Sequence, residues 1–204
     1  MTDLASLVTA EEGRNILLLG SPLDDPTTDA HRALLAGQTP GDQRVLCITY
    51  RDSPGTVVTR WQNHTDVTPA KWGIIVMGDQ AQSAETGSAP PSGAQAGPRV
   101  EAVTDPGDLT ALGITLSQYL ERWTGDEHPF AVCVDSVTAL LQYVDEQIAF
   151  RFMHMATTRF RAANAVGHFH LDSDAHSDRT IAEFKSIVDT VVDVSGKETT
   201  VLQR

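Results

Sequence analysis

With 204 residues, the chain is long enough to bury a core as one domain, with a pair of small domains as the alternative. Its 27 acidic residues against 15 basic ones leave a net charge of -12, which opposes general attraction to nucleic acid or to anionic lipid, so neither is an expected partner. The same excess suits a protein kept soluble in concentrated salt. No run approaches the roughly 20 apolar residues of a membrane span, and residues 1–14 lack a charged start with an apolar signal core, so a halophilic cytoplasm is the expected location.

Leu4, Leu7 and Val8 predict a short helix over 4–12, lying across a sheet edge. Ile16, Leu17, Leu18 and Leu19 form an apolar run of buried-strand length that ends at Gly20. A helix is expected over 28–36, with Asp29 near its cap, Leu34 and Leu35 inward and Gly37 as its stop, followed by a turn over 38–42. Residues 44–50 carry Val45, Cys47 and Ile48 as a second strand, Ser53 and Pro54 open a helix through Trp61, and 73–77 make a third strand. From 80 to 98 the composition shifts to Ser, Ala, Gly, Gln and Pro, with too little apolar area to offset the entropy of ordering. A disordered spacer is expected there, or else a domain boundary.

Residues 99–104 resume as a strand, and Leu109, Leu112, Leu116, Leu120 and Trp123 keep helical spacing up to Gly125. Residues 130–134 are a strongly apolar strand ending at Asp135. A helix begins at Ser136 and continues or restarts over 145–163, with Ala149, Phe152, Met153, Ala156, Phe160 and Ala163 as its buried stripe. Residues 165–171 form a further strand, Ser177 caps a helix through Val188, and 189–194 with 199–202 close as a hairpin. The alternation predicts a three-layer α/β domain: a mostly parallel sheet, helices on both faces, strand 16–19 central and an antiparallel finish. Cys47 and Cys133 lie in apolar strands and read as small core residues, not as a disulfide or a ligand pair.

Strand, glycine turn and helix around Gly20 have the layout of a phosphate-binding loop. A working loop reads G-x-x-x-x-G-K-[ST]: backbone N–H groups cradle phosphates, Lys reaches the terminal ones and the hydroxyl meets Mg²⁺. Here the residues are Gly20, Ser21, Pro22, Leu23, Asp24, Asp25, Pro26 and Thr27. Gly20 and Thr27 keep the first and last positions, but Asp25 stands for the second Gly and Pro26 for the Lys. Two unit charges about 4 Å apart cost about 4 kcal/mol at an effective dielectric near 20, roughly three powers of ten in affinity. Asp24 and Asp25 therefore work against an anionic ligand, and Pro26 removes a cradle N–H.

The strand of Phe130, Ala131, Val132, Cys133, Val134 and Asp135 has the form of a Walker B strand, whose terminal Asp holds Mg²⁺ through water; the plain alternative is a buried strand with an acidic end. Asp135, Ser136, Val137, Thr138, Ala139, Leu140 and Leu141 resemble the stretch after Walker B in the KaiC-like branch of the RecA superfamily. Residues 45–50 look like the strand before the catalytic carboxylates there, and 165–171 like the strand after the Walker B helix. The similarity is nearest to degenerate KaiC-like proteins of halophilic archaea, through Asp135 to Leu141, then Phe150, Arg151 and Phe152, then His170, Leu171, Asp172, Ser173, Asp174, Ala175 and His176. It implies a RecA-like fold of the P-loop NTPase type. Those enzymes carry paired Glu residues after the second strand; this chain has Arg51 and Asp52. The expectation is a non-catalytic interaction or signalling module without a cofactor, with a nucleotide switch or a weak ATPase of the KaiC-like family, using ATP and Mg²⁺ around Gly20, Thr27 and Asp135, as the alternative.

His168, His170, Asp172, Asp174 and His176 alternate, and on an extended chain they face one side, as a row for Zn²⁺ or another divalent ion would. Turn and cap roles for Asp174 and Ser177 are the competing reading. Ser136 reads as a helix cap, since no G-x-S-x-G elbow surrounds it. No acid lies between Glu146 and Asp172, while Arg151, Arg159 and Arg161 do. Arg151 and Arg159, two turns apart, make either a solvated face or a docking face for a protein partner or a neighbouring copy, with Asp24 and Asp25 as the complementary acids.

Overall fold

The computed structural model of the chain describes residues 4, 13–79, 97–196 and 198–203. Among these, eight strands form one sheet: β1 (Asn15–Leu19), β2 (Arg44–Thr49), β3 (Lys71–Met77), β4 (Arg99–Val103), β5 (Phe130–Asp135), β6 (Ala165–Leu171), β7 (Thr190–Asp193) and β8 (Thr200–Gln203). Their order is β4-β3-β2-β5-β6-β1-β7-β8. β1 to β7 are parallel, and β8 runs antiparallel to β7. β1, β2, β5 and β6 are buried along their whole length, which is why they read as continuous apolar runs and not as alternating ones.

The helices are α1 (Asp25–Ala36), α2 (Pro54–Gln62), α3 (Leu109–Arg122), α4 (Val137–Leu140), α5 (Glu146–Ala162) and α6 (Asp178–Lys185). Alternate residues of β1 enter two cores. Leu17 and Leu19 pack with Leu116 and Tyr119 of α3, Phe152 and Phe160 of α5, and Phe184 of α6. Ile16 and Leu18 pack with Leu34 and Leu35 of α1 and Trp61 of α2. The sheet is thus covered on both faces, and each fully buried large side chain contributes about 1.5–3 kcal/mol. Four helices begin where their sequences place a cap: Ser53, Asp108, Ser136 and Ser177 each accept from the backbone N–H three residues on. Gly37 ends α1 at φ 58° and Asn164 turns the chain from α5 into β6 at φ 52°.

Several boundaries differ from expectation. α1 starts at Asp25, not Thr28, and its cap position is Asp24, not Asp29. Pro26 then falls in the first helical turn, where a missing N–H breaks no intrahelical bond. The segment after Asp135 makes the single turn α4 and restarts as α5, because Asp145 adopts extended backbone at the position before the second helix, without a side-chain capping hydrogen bond. α6 ends at Lys185, short of Val188. β1 lies inside the sheet but is not central; that place belongs to β5 and β6. The helix expected over 4–12 and the spacer over 80–98 fall almost wholly outside the described residues.

Candidate functional site

In open parallel sheets ligands meet the carboxyl ends of the strands, and there the sequence motifs converge. Gly20 follows β1 and Asp135 ends β5, with β6 between them, so two strand spacings separate them, about 10 Å. Both line a partly open cleft of about 200 Å³, together with Thr27, Arg51, Thr138 and His170. The loop from Gly20 closes tightly on α1. A Cβ at residue 20 would lie 2.4 Å from Thr27 Oγ1 and 2.7 Å from Val194 Cγ2, so glycine is needed there for close approach. Thr27 is buried, and its hydroxyl has no hydrogen-bond partner among the described residues. Asp24 and Asp25 are exposed at the start of α1, beside Leu23, which is 90% exposed.

Asp135 is 7% exposed at its side chain and held by cations of this chain. Arg51 Nη2 is 3.1 Å from Oδ1, and Arg60 Nη1 is 3.5 Å from Oδ2. Arg60 Nη1 also lies 2.8 Å from Asp52 Oδ2, linking the two acids. The pairing of Thr49 with Asp135 places Arg51 here, and Thr49 Oγ1 accepts from the backbone N–H of both Arg51 and Asp52 to shape the turn.

The row from His168 to His176 does not hold together. β6 ends at Leu171, and the alternation ends with it. Asp172 caps a short 3-10 turn by accepting from Asp174 N, Asp174 is exposed, and His176 Nε2 lies 3.1 Å from Thr138 Oγ1. His168 and His170 face α1 and meet two residues that sequence reasoning did not join to them, His31 and Cys133. His31 Nδ1 is 2.9 Å from His170 Nε2, 3.3 Å from His168 Nε2 and 3.8 Å from Cys133 Sγ. Cys133 pairs in register with His168, and His31 sits one turn after Thr27 on the inward face of α1. Burial, then the neighbouring His170, lowers the His31 pKa to about 3. Burial also holds His168 and His170 well below the ordinary imidazole value and the Cys133 thiol well above the ordinary thiol value. The cluster is therefore three neutral imidazoles and a thiol. Cys47, the other free cysteine, is buried with its pKa pushed up to about 12, chiefly by burial.

Arg151 and Arg159 lie exposed on α5. Arg151 Nε donates to Gln147 O within its own helix. Arg159 Nη1 donates to Gly113 O at 3.1 Å and to Ser117 Oγ, so this side chain is partly spent on α3. Arg161 pairs with Asp189 at 2.7 Å. Among the described residues, no helix is long and apolar enough to cross a membrane.

A solved structure from Pyrococcus horikoshii OT3, described as the structural study of project PH0250, matches over 98% of this chain and 91% of its own, with a TM-score of 0.59 and 10% identity. At that identity the likeness is one of fold alone. No curated protein matches the sequence significantly. The profile of a family described as of unknown function, DUF7504, matches residues 13–194, and the chain belongs to that family.

Proposed function

We propose that the chain is a non-catalytic RecA-like module of KaiC-like type, acting through protein–protein contacts at a degenerate phosphate loop. The observation that carries this reading is the clamp on Asp135: the acid that would recruit Mg²⁺ already has Arg51 and Arg60 as counter-charges. No Lys stands in the loop, and Asp24 and Asp25 occupy the α1 N-terminus, where a phosphate would use the helix dipole. The exposed Leu23, Asp24 and Asp25 tip and the Arg151/Arg159 face suit a contact in which carboxylate replaces phosphate as the interface anion. The two patches lie on different parts of the surface, so a homotypic contact would be head-to-tail. Light scattering on wild type and on Arg151→Glu with Arg159→Glu tests it. Assembly lost in the variant supports the self-association form; a monomer in both rejects it and leaves a hetero-complex, read by loss of a captured partner.

A second reading, a nucleotide-sensing switch, is favoured by the orphaned Thr27 hydroxyl beside the Asp135 cleft. Calorimetry with ATP and Mg²⁺ separates the two: micromolar binding selects the switch, and no heat of binding selects the interaction module.

A further inference from the structure

We propose that His31, Cys133, His168 and His170 form a closed metal site that takes Zn²⁺ or a similar late first-row ion. The four come from three elements, α1, β5 and β6, and one donor atom of each lies within 4.8 Å of every other. Tetrahedral Zn²⁺ with bonds of about 2.05 Å to nitrogen and about 2.3 Å to sulfur sets its ligands about 3.3 Å (N to N) and about 3.6 Å (N to S) apart. The His31–His168 spacing of 3.3 Å and the His31–Cys133 spacing of 3.8 Å meet this. The 2.9 Å between His31 and His170 is shorter, as suits two imidazoles sharing a proton in the empty site.

The surroundings point the same way. The core on this face holds Ile16, Leu18, Ala30 and Leu34 together with Trp61 and Trp72, and the donor atoms of the cluster lie against one another. His168 is fully buried, and its Nδ1 has no partner among the described residues. His170 turns Nε2 to the cluster and Nδ1 toward Asp135 Oδ1, which at 3.8 Å is beyond hydrogen-bond distance but on the side where a carboxylate stands behind a metal-bound imidazole. Neutral imidazoles are ready ligands, and Cys133 would lose its proton on binding. One thiolate and three imidazoles leave a Zn²⁺ centre at net +1, beside an Asp135 carboxylate that Arg51 and Arg60 already share. His31 and His170, each 8% exposed, border a surface pocket with Thr27 and Arg51, which gives an entry path, while Cys133 and His168 are buried and do not line it. Four protein ligands leave no open position, so the ion would pin α1, and the loop before it, to the sheet.

The test uses the full chain without a histidine tag, refolded with Zn²⁺ or Co²⁺ and checked by circular dichroism. One Zn²⁺ per chain by metal analysis, and Co²⁺ spectra with a thiolate charge-transfer band and intense tetrahedral d–d bands, are expected. Cys133→Ser should lose the charge-transfer band and Cys47→Ser keep it. His31→Asn should weaken binding by more than the roughly 10–100-fold of an outer-shell change. His176→Asn, outside the cluster, should bind as wild type does. Folded wild-type protein without stoichiometric metal overturns the proposal, as does a band that survives Cys133→Ser or binding that depends on His176. These readouts are independent of nucleotide binding and of self-association.

Discussion

Replacing Arg60 by alanine removes the cation that joins two carboxylates at the end of the sheet. Its Nη1 lies 2.8 Å from Asp52 Oδ2 and 3.5 Å from Asp135 Oδ2, and the acid side chains are 16% and 7% exposed. Breaking a fully buried pair costs about 3–5 kcal/mol, while an exposed pair is worth about 0–1 kcal/mol. Arg60 is 31% exposed, and Arg51 stays 3.1 Å from Asp135 in the variant. The expected loss therefore falls between the limits, at about 2 kcal/mol, roughly thirtyfold in the unfolding equilibrium. With a urea slope of about 2–3 kcal/mol/M, the midpoint falls by about 0.7–1 M at unchanged slope. A cycle with Asp135→Asn should return a coupling of about 1 kcal/mol or more. Arg99, paired with Glu101 and 60% exposed, is the comparison: Arg99→Ala should cost under about 0.5 kcal/mol. At about 1 M salt the Debye length is about 3 Å, which removes the Arg99 effect and leaves most of the Arg60 effect. Equal losses in the two variants, or no coupling in the cycle, would refute the clamp as an energetic element.

Gly20→Ala forces a Cβ against Thr27 and Val194 and should cost about 1–3 kcal/mol, a fall of about 3–10 °C in Tm; an unchanged melt rejects the close approach. Asp126 accepts from Lys71 and from His128, first through the Lys71 side chain, and its pKa is lowered well below the ordinary carboxylate value. A depressed folded-state pKa gives stability that is present above about pH 4 and lost as pH falls toward the folded value. Wild type should therefore lead Asp126→Asn in urea midpoint at neutral pH and converge with it in acid; a constant gap refutes the linkage. Asp25→Gly with Pro26→Lys should gain weak binding of ATP with Mg²⁺, and more when Arg51→Glu is added. Calorimetry that finds no gain in either variant rejects the loop register.

The strands were legible because a doubly covered parallel sheet writes itself as unbroken apolar runs, as in β1, β5 and β6. The start of α1 was not legible because Asp24, Asp25 and Pro26 also fall in the register of a phosphate-loop pattern. The same three satisfy helix-start preferences, with an acid at the cap, an acid in the first turn and Pro inside it. The histidine cluster was half legible. Period-two alternation puts His168 and His170 on one side of β6, but nothing local joins them to His31, 137 residues before His168. That neighbourhood depends on β5 pairing with β6 and on α1 crossing that face, both set by long-range topology. A lone His on the apolar stripe of a helix reads as core, and Cys133 in a buried strand reads the same way. Arg51 was legible as a departure from a pair of acids; its new partner was not, since Asp135 lies 84 residues on.

Asp135 explains why restoring the loop alone should recover little. Its Oδ1 faces Arg51 and the ring of His170, and its Oδ2 faces Arg60, so one carboxylate ties the β2–α2 side of the sheet to the β6–α1 side. A buried acid without a counter-charge costs several kcal/mol, and Arg51 with Arg60 offsets that cost without any bound ion. Mg²⁺ arriving at this acid would meet two positive charges first, and at about 4 Å each repulsion between the divalent ion and a guanidinium is worth about 8 kcal/mol at an effective dielectric near 20. Lys at 26 would bring a third cation to the same edge while leaving the clamp intact. Arg51→Glu removes one of these charges and adds an acid beside the cleft, so the triple variant should be the one that binds. Equal binding by the double and triple variants would mean that the clamp opens without help and that Asp135 is not what closes the site.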